Sequence, residues 1–153
     1  MTDAVIVDIV RTPSGKGKPG GALHPVHPVD LFAGVISALI ERNDLDPALV
    51  EDVIGGCVQQ VGDQALNIAR VAALTAGLPI EVPGTTIDRQ CSSGLMAVAI
   101  AAKQIIADLA VRGQRVELGA EHIVPVLRVA HDDAQVGCLA LGGLWGIGEH
   151  PDQ

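Results

Sequence analysis

The chain has 153 residues, enough for one domain with its own core. Hydrophobic residues make up 48% of it, which argues against disorder for most of its length, and a net charge of −8 argues against a nucleic-acid surface. Phe32 and Trp145 are the sole aromatic residues, so the core must be built from Val, Ile, Leu and Ala, a set that suits helices on a buried β-sheet.

Ala4-Val5-Ile6-Val7-Asp8-Ile9-Val10 reads as a buried strand, an apolar run of strand length. Residues 11–27 form a loop rich in Gly, Pro, Lys and His. Asp30 fits as the N-cap of a helix reaching about Arg42, with Leu31, Val35, Leu39 and Ile40 on its inner face. Asp46-Pro47 opens a short helical turn, because proline suits the first helical position. Val53-Ile54-Gly55-Gly56-Cys57-Val58 reads as a second strand, and Asn67 to Ala76 as a helix ended by Gly77 and Pro79. Thr85-Thr86-Ile87-Asp88 is a third short strand. A helix from Ser92 to about Ala107 follows, and Val116-Glu117-Leu118-Gly119 is a candidate fourth strand. Strands alternating with helices predict an α/β layered fold with a mainly parallel sheet.

The helix after Cys91 is apolar all round. Leu95, Met96, Val98, Ile100, Ile105 and Ile106 do not share a stripe, and alanines fill most gaps. One sheet covers only one side of a helix, so a second body, domain or subunit is expected on the other.

The chemistry concentrates at Asp88-Arg89-Gln90-Cys91-Ser92-Ser93-Gly94-Leu95, where a strand ends and that helix begins. A helix N-terminus gathers unpaired N–H groups and partial positive charge. That field favours thiolate, the reactive form of cysteine, so the junction suggests covalent catalysis at Cys91. Other chemistry-bearing residues read more plainly. Cys57 lies in a strand and reads as core, and Cys138 as an ordinary thiol. His24 and His27 have no third ligand nearby, so they read as loop histidines and no metal site is expected. Lys16 and Lys18 lack the spacing of a phosphate loop and read as solvated. Glu121-His122 reads as structural. Three widely spaced cysteines make no disulfide framework, which fits a reducing compartment. Thr2-Asp3 precedes a short run unlike a signal peptide, and Lys103-Gln104 interrupt the longest apolar stretch. A cytoplasmic location away from membranes is therefore expected.

The motifs resemble the N-terminal half of the thiolase family. Those that match are Ile6-Val7-Asp8 through Val10-Arg11-Thr12-Pro13, Gly20-Gly21-Ala22-Leu23, Val53 through Gln60, and Asn67-Ile68-Ala69-Arg70. They continue with Arg89 through Leu95, similar to the thiolase nucleophile signature, and Gly119-Ala120-Glu121-His122-Ile123. Order and spacing agree over roughly residues 4 to 123. The resemblance implies an αβαβα layered half with the Cys91 helix as a buried central helix. It implies acyl transfer from acyl-CoA to Cys91, then to CoA or to acetyl-CoA, as in 3-ketoacyl-CoA cleavage or acetoacetyl-CoA-type condensation. Coenzyme A thioester is then substrate, and no permanently bound cofactor is expected. Cys91 matches the nucleophile, with its backbone N–H as an oxyanion donor, while Ser92, Ser93 and Gly94 match positions that keep the turn tight.

The family's remaining catalytic groups are a histidine, a second cysteine and an asparagine-bearing motif. They lie in a C-terminal half with no matching positions here. Gly148-Glu149-His150-Pro151 and Gly137-Cys138-Leu139 lie in different surroundings from the family's loops and receive no role. The expected organisation is a thiolase N-terminal-like domain over 1–123 and an unassigned tail over 124–153. A truncated or split gene product, a frameshifted end and a small protein on a half-thiolase scaffold all fit that tail. The expected partners are acyl-CoA and CoA, together with a homo-oligomer or a complementary C-terminal thiolase half. The alternative is a non-catalytic thiolase-like module that binds an acyl or lipid ligand, or a partner protein.

Overall fold

The computed structural model describes residues 4–107, 126–129 and 136–144. In chain order its elements are α1 (Pro28–Arg42), β1 (Val53–Cys57), α2 (Ile68–Thr75), β2 (Gly84–Ile87), α3 (Ser93–Ile106), β3 (Val126–Val129) and β4 (Val136–Leu144). Single 3-10 turns stand at Pro47–Leu49 and Gly62–Gln64. The strands form one sheet in the order β2-β1-β4-β3. β1 runs parallel to both of its neighbours, and β3 runs antiparallel to β4. This is the α/β, mainly parallel architecture expected from the alternation of elements.

β1 is buried along its whole length and sorts its side chains to two faces. Val53 and Cys57 join Phe32 and Ile36 of α1 and Ile68, Ala69 and Ala72 of α2 in one core. Ile54 points the other way, to Ala97 and Ala101 of α3. Helices thus cover both faces of the sheet. Phe32 is 6% exposed, and burying such a side chain contributes about 1.5–3 kcal/mol. The two glycines of β1 make this layering possible. A Cβ on Gly55 would stand 2.8 Å from the Phe32 ring, and one on Gly56 would stand 2.4 Å from the Gly94 nitrogen of α3.

The segment Asn67-Ile68-Ala69-Arg70 acquires a mechanical meaning. The Asn67 side chain caps α2 by accepting from the Arg70 N–H at 3.3 Å, and it donates to the Gly84 carbonyl of β2 at 2.7 Å. Thr86 of β2 donates to Asn67 at 2.7 Å and accepts from the Ala69 N–H at 3.1 Å. The Arg70 guanidinium donates to the carbonyls of Ile80 and Val82, just ahead of β2. One helix end is therefore tied to one strand, and the strand leads to Cys91.

Local stop and start signals hold: Asp46 caps the turn at Pro47, and Gly77 takes a φ of +83° after α2. Three expectations change. The N-cap of α1 is His27, not Asp30. Pro28 occupies the first helical position and disfavours helical backbone at the residue before it, and the His27 imidazole accepts from the Val29 N–H at 3.2 Å. The buried face of α1 is then Val29, Phe32, Ala33, Ile36 and Leu39, while Leu31 and Val35 are half-buried on its flanks. The third change is at the N-terminus. Residues 4–10 form no strand, and Val5, Ile6, Val7 and Ile9 are exposed. A strand needs a ladder partner, and β2 and β4 already hold both sides of β1. The candidate strand at 116–119 lies outside the described residues.

Candidate active site

Cys91 is exposed and stands between the end of β2 and the start of α3. The backbone turns sharply there. Gln90 adopts a φ of +49°, a left-handed conformation that costs a non-glycine residue about 1–2 kcal/mol. Five hydrogen bonds hold it. The Asp88 carboxylate accepts from the Gln90 N–H at 2.8 Å. The Ser93 hydroxyl accepts from the Arg89 N–H at 2.8 Å and donates to the Gln90 carbonyl at 2.6 Å. The Ser92 and Ser93 N–H groups reach back to the carbonyls of Arg89 and Gln90, at 3.1 and 3.0 Å.

The two serines after Cys91 therefore differ. Ser93 is 1% exposed and staples the turn, whereas Ser92 is exposed and its side chain makes no capping bond. With no side-chain cap at Ser92, the start of α3 keeps the partial positive charge that favours an anion. Beneath the turn, Gly56 of β1 lies close against the backbone of Ser93 and Gly94. An exposed cysteine that follows the strained Gln90 at a helix start is thus backed by a buried hydroxyl and a glycine strand.

Set beside known proteins, residues 4–134 match the model of the thiolase N-terminal domain. The chain belongs to the thiolase family. It is 52% identical to a steroid 3-ketoacyl-CoA thiolase of Mycobacterium tuberculosis over 116 residues, covering 74% of this chain and 28% of that protein. It is 50% identical to a beta-ketoadipyl-CoA thiolase of Acinetobacter baylyi over 106 residues, covering 69% of this chain and 26% of that protein. A 3-ketoacyl-CoA thiolase of Aeromonas salmonicida is 47% identical over 106 residues, covering 69% of this chain and 27% of that protein. The match thus spans little more than a quarter of these thiolases' length.

The other candidates disperse. Cys57 is fully buried at the end of β1, with its thiol donating to Gln64 Oε1 at 3.3 Å and to the Gln59 carbonyl at 3.4 Å. Burial pushes that thiol's pKa up. The Gln59 hydrogen bond opposes this only in part, and Asp88 adds to the rise. His24 contacts the Gly17 carbonyl at 3.0 Å, while His27 caps α1 and lies 3.9 Å from Asp63. Lys16 and Lys18 are exposed. Among the described residues no three His, Cys, Asp or Glu side chains gather to hold a metal ion, and no helix is long and apolar enough to cross a membrane. Cys138 lies on β4. Glu121, His122 and His150 fall outside the described residues.

Two features escape the sequence. The division of labour between Ser92 and Ser93 is one, since both are small polar residues after a cysteine. Paired glycines inside an apolar strand were the available signal for the other half of that brace, because they mark a close backbone approach. The second feature is Asp52, fully buried just ahead of β1. Among the described residues its carboxylate oxygens make no hydrogen bond of good geometry. Burial raises its pKa to about 6, tempered by the Val53 backbone N–H and the Gln104 side chain. Glu51-Asp52 before a strand would ordinarily be read as solvated.

Proposed function

We propose that Cys91 is the acyl-accepting nucleophile of a thiolase-type acyl transfer. The observation that carries this is the exposed cysteine on a strained turn at the N-terminus of α3, braced by buried Ser93, in a chain of the thiolase family. The Cys91 thiolate attacks the thioester carbonyl of an acyl-CoA. A carbon–sulfur bond to Cys91 forms, the bond to CoA breaks, and CoA leaves as its thiolate. The Cys91 N–H, at the start of α3, holds the oxyanion between these events, a type of contact worth about 2.7–4 kcal/mol when the donor is lost. The acyl group then passes to CoA or to acetyl-CoA, so one hard displacement becomes two easier ones. The relatives' names supply the substrate class, 3-ketoacyl-CoA thioesters. The reaction is assigned to the assembled protein, in a cytoplasmic setting. A homo-oligomer, or a C-terminal thiolase half, covers the outer side of α3, where Leu95 is 73% and Ile106 55% exposed.

The test is intact mass after incubation with acetyl-CoA. The expected result is one acetyl adduct that Cys91→Ala abolishes. A cooperatively folded chain that acquires no adduct overturns the proposal for these residues alone. That same apolar side of α3 favours a second reading, a non-catalytic module that binds an acyl ligand or partner there. Saturable acyl-CoA binding without an adduct selects it.

A further inference from the structure

We propose that residues 4–10 and β4 are alternative occupants of one place in the sheet, the edge of β1 opposite β2. The starting observation is an apolar segment with nothing to pair with. Ala4-Val5-Ile6-Val7-Asp8-Ile9-Val10 holds five β-branched residues, a composition suited to a strand. Yet Ile6 is 62% and Ile9 74% exposed. The segment is tethered through Asp8, whose carboxylate meets Arg42 at 3.1 Å and Asn43 at 3.1 Å at the end of α1. An ion pair whose arginine stands in solvent is a weak anchor.

Chain handedness says where such a strand belongs. β1, α2 and β2 form a parallel crossover, and α1 packs beside α2 on the same face of the sheet. Parallel crossovers are right-handed almost without exception. With both helices on one face, a strand feeding α1 and then β1 must lie on the side of β1 away from β2. β4 holds that place.

β4 is also the poorer strand by composition. Its sequence, Val136-Gly137-Cys138-Leu139-Ala140-Leu141-Gly142-Gly143-Leu144, carries three glycines, which weaken strand interiors. Its register with β1 slips between Gly55 and Cys57, whereas the β1–β2 register runs unbroken from Val53 to Gly56. Two segments thus compete for one ladder. The better strand-former lies outside the sheet, and the less regular one lies inside it. Gly56, which backs the Cys91 turn, is on the strand whose neighbour changes.

The test is hydrogen exchange read by mass spectrometry on the full chain. The two segments are never protected together: in the state described here, residues 136–144 are protected and residues 4–10 exchange freely. Leu139 pairs with Val53, and proline is not tolerated in a central strand. In Leu139→Pro, exchange over 4–10 slows by about tenfold or more while β1 and β2 stay protected. Adding Val7→Pro to that variant removes the protection of both 4–10 and β1, whereas Val7→Pro alone leaves β4 protected. Simultaneous protection of both segments in the unmodified chain overturns the proposal. So does a Leu139→Pro variant in which 4–10 still exchanges freely, whether β1 stays protected or is lost. Protection of 4–10 that rises with protein concentration also overturns it, because the pairing is then between chains.

Discussion

Replacing Ser93 by alanine removes a single oxygen, and the structure says what that oxygen does. It accepts from the Arg89 N–H at 2.8 Å and donates to the Gln90 carbonyl at 2.6 Å, at a site 1% exposed. The Gln90 carbonyl keeps a second donor, the Ser93 N–H at 3.0 Å, so its loss is partial. The part-buried Arg89 N–H loses its partner, at a cost of about 1 kcal/mol or more. Together with the partial loss at Gln90, Ser93→Ala is expected to destabilise the chain by about 2 kcal/mol, a fall in Tm of roughly 4–8 °C for this size. Ser92→Ala, one residue earlier, removes an exposed hydroxyl with no capping bond and stays within about 0.5 kcal/mol. Thermal and urea unfolding give the stability of each. Alkylation of Cys91 by iodoacetamide reports the turn itself, with buried Cys57 as the slow internal reference. Relaxing Gln90 from its left-handed backbone moves the sulfur, so the Cys91 alkylation rate changes in Ser93→Ala and not in Ser92→Ala. Equal stability and equal alkylation rates for the two variants would refute the assignment of Ser93 as the brace.

Asp52 gives a pH prediction. Its folded-state pKa, about 6, lies above the 3.8 of an ordinary aspartate, so the folded chain binds this proton more tightly than the unfolded chain. Its favourable contribution is present below pH 3.8 and is lost as pH rises through 6. Asp52→Asn should therefore raise stability at pH 8 by about 2–3 kcal/mol and change little near pH 4, as read by urea unfolding at both values. A stabilisation independent of pH would exclude the buried charge as its cause. Two glycines give opposite outcomes. Gly56→Ala forces a Cβ to 2.4 Å from the Gly94 backbone and should cost about 3 kcal/mol or more, with a faster-exchanging α3 N-terminus. Gly34→Ala meets nothing within 4 Å on the exposed side of α1 and should stabilise by about 0.5–1 kcal/mol in the same unfolding assay.

Short-range chemistry was legible in the sequence. Pro47 after Asp46, Asn67 before an apolar run and Gly77 after it each act within a few residues, so their turns and caps appear where their residue types place them. The placing of Cys91 between a strand and a helix was legible for the same reason. Even there, Pro28 outweighed Asp30, because a proline constrains both its own backbone and that of the residue before it. What the sequence could not show is who lies beside whom. Residues 4–10 have every local mark of a strand and no ladder, because strand pairing depends on a partner distant in sequence. Ser92 and Ser93 are alike in sequence, yet one is exposed and the other braces the Cys91 turn; the packing of α3 on Gly56 sets which side of the turn is buried. The same non-local packing buries Asp52, a placement its residue type alone does not show. Residue type alone marks Cys91 as the place for covalent chemistry; only the packed sheet and helix show what holds it there.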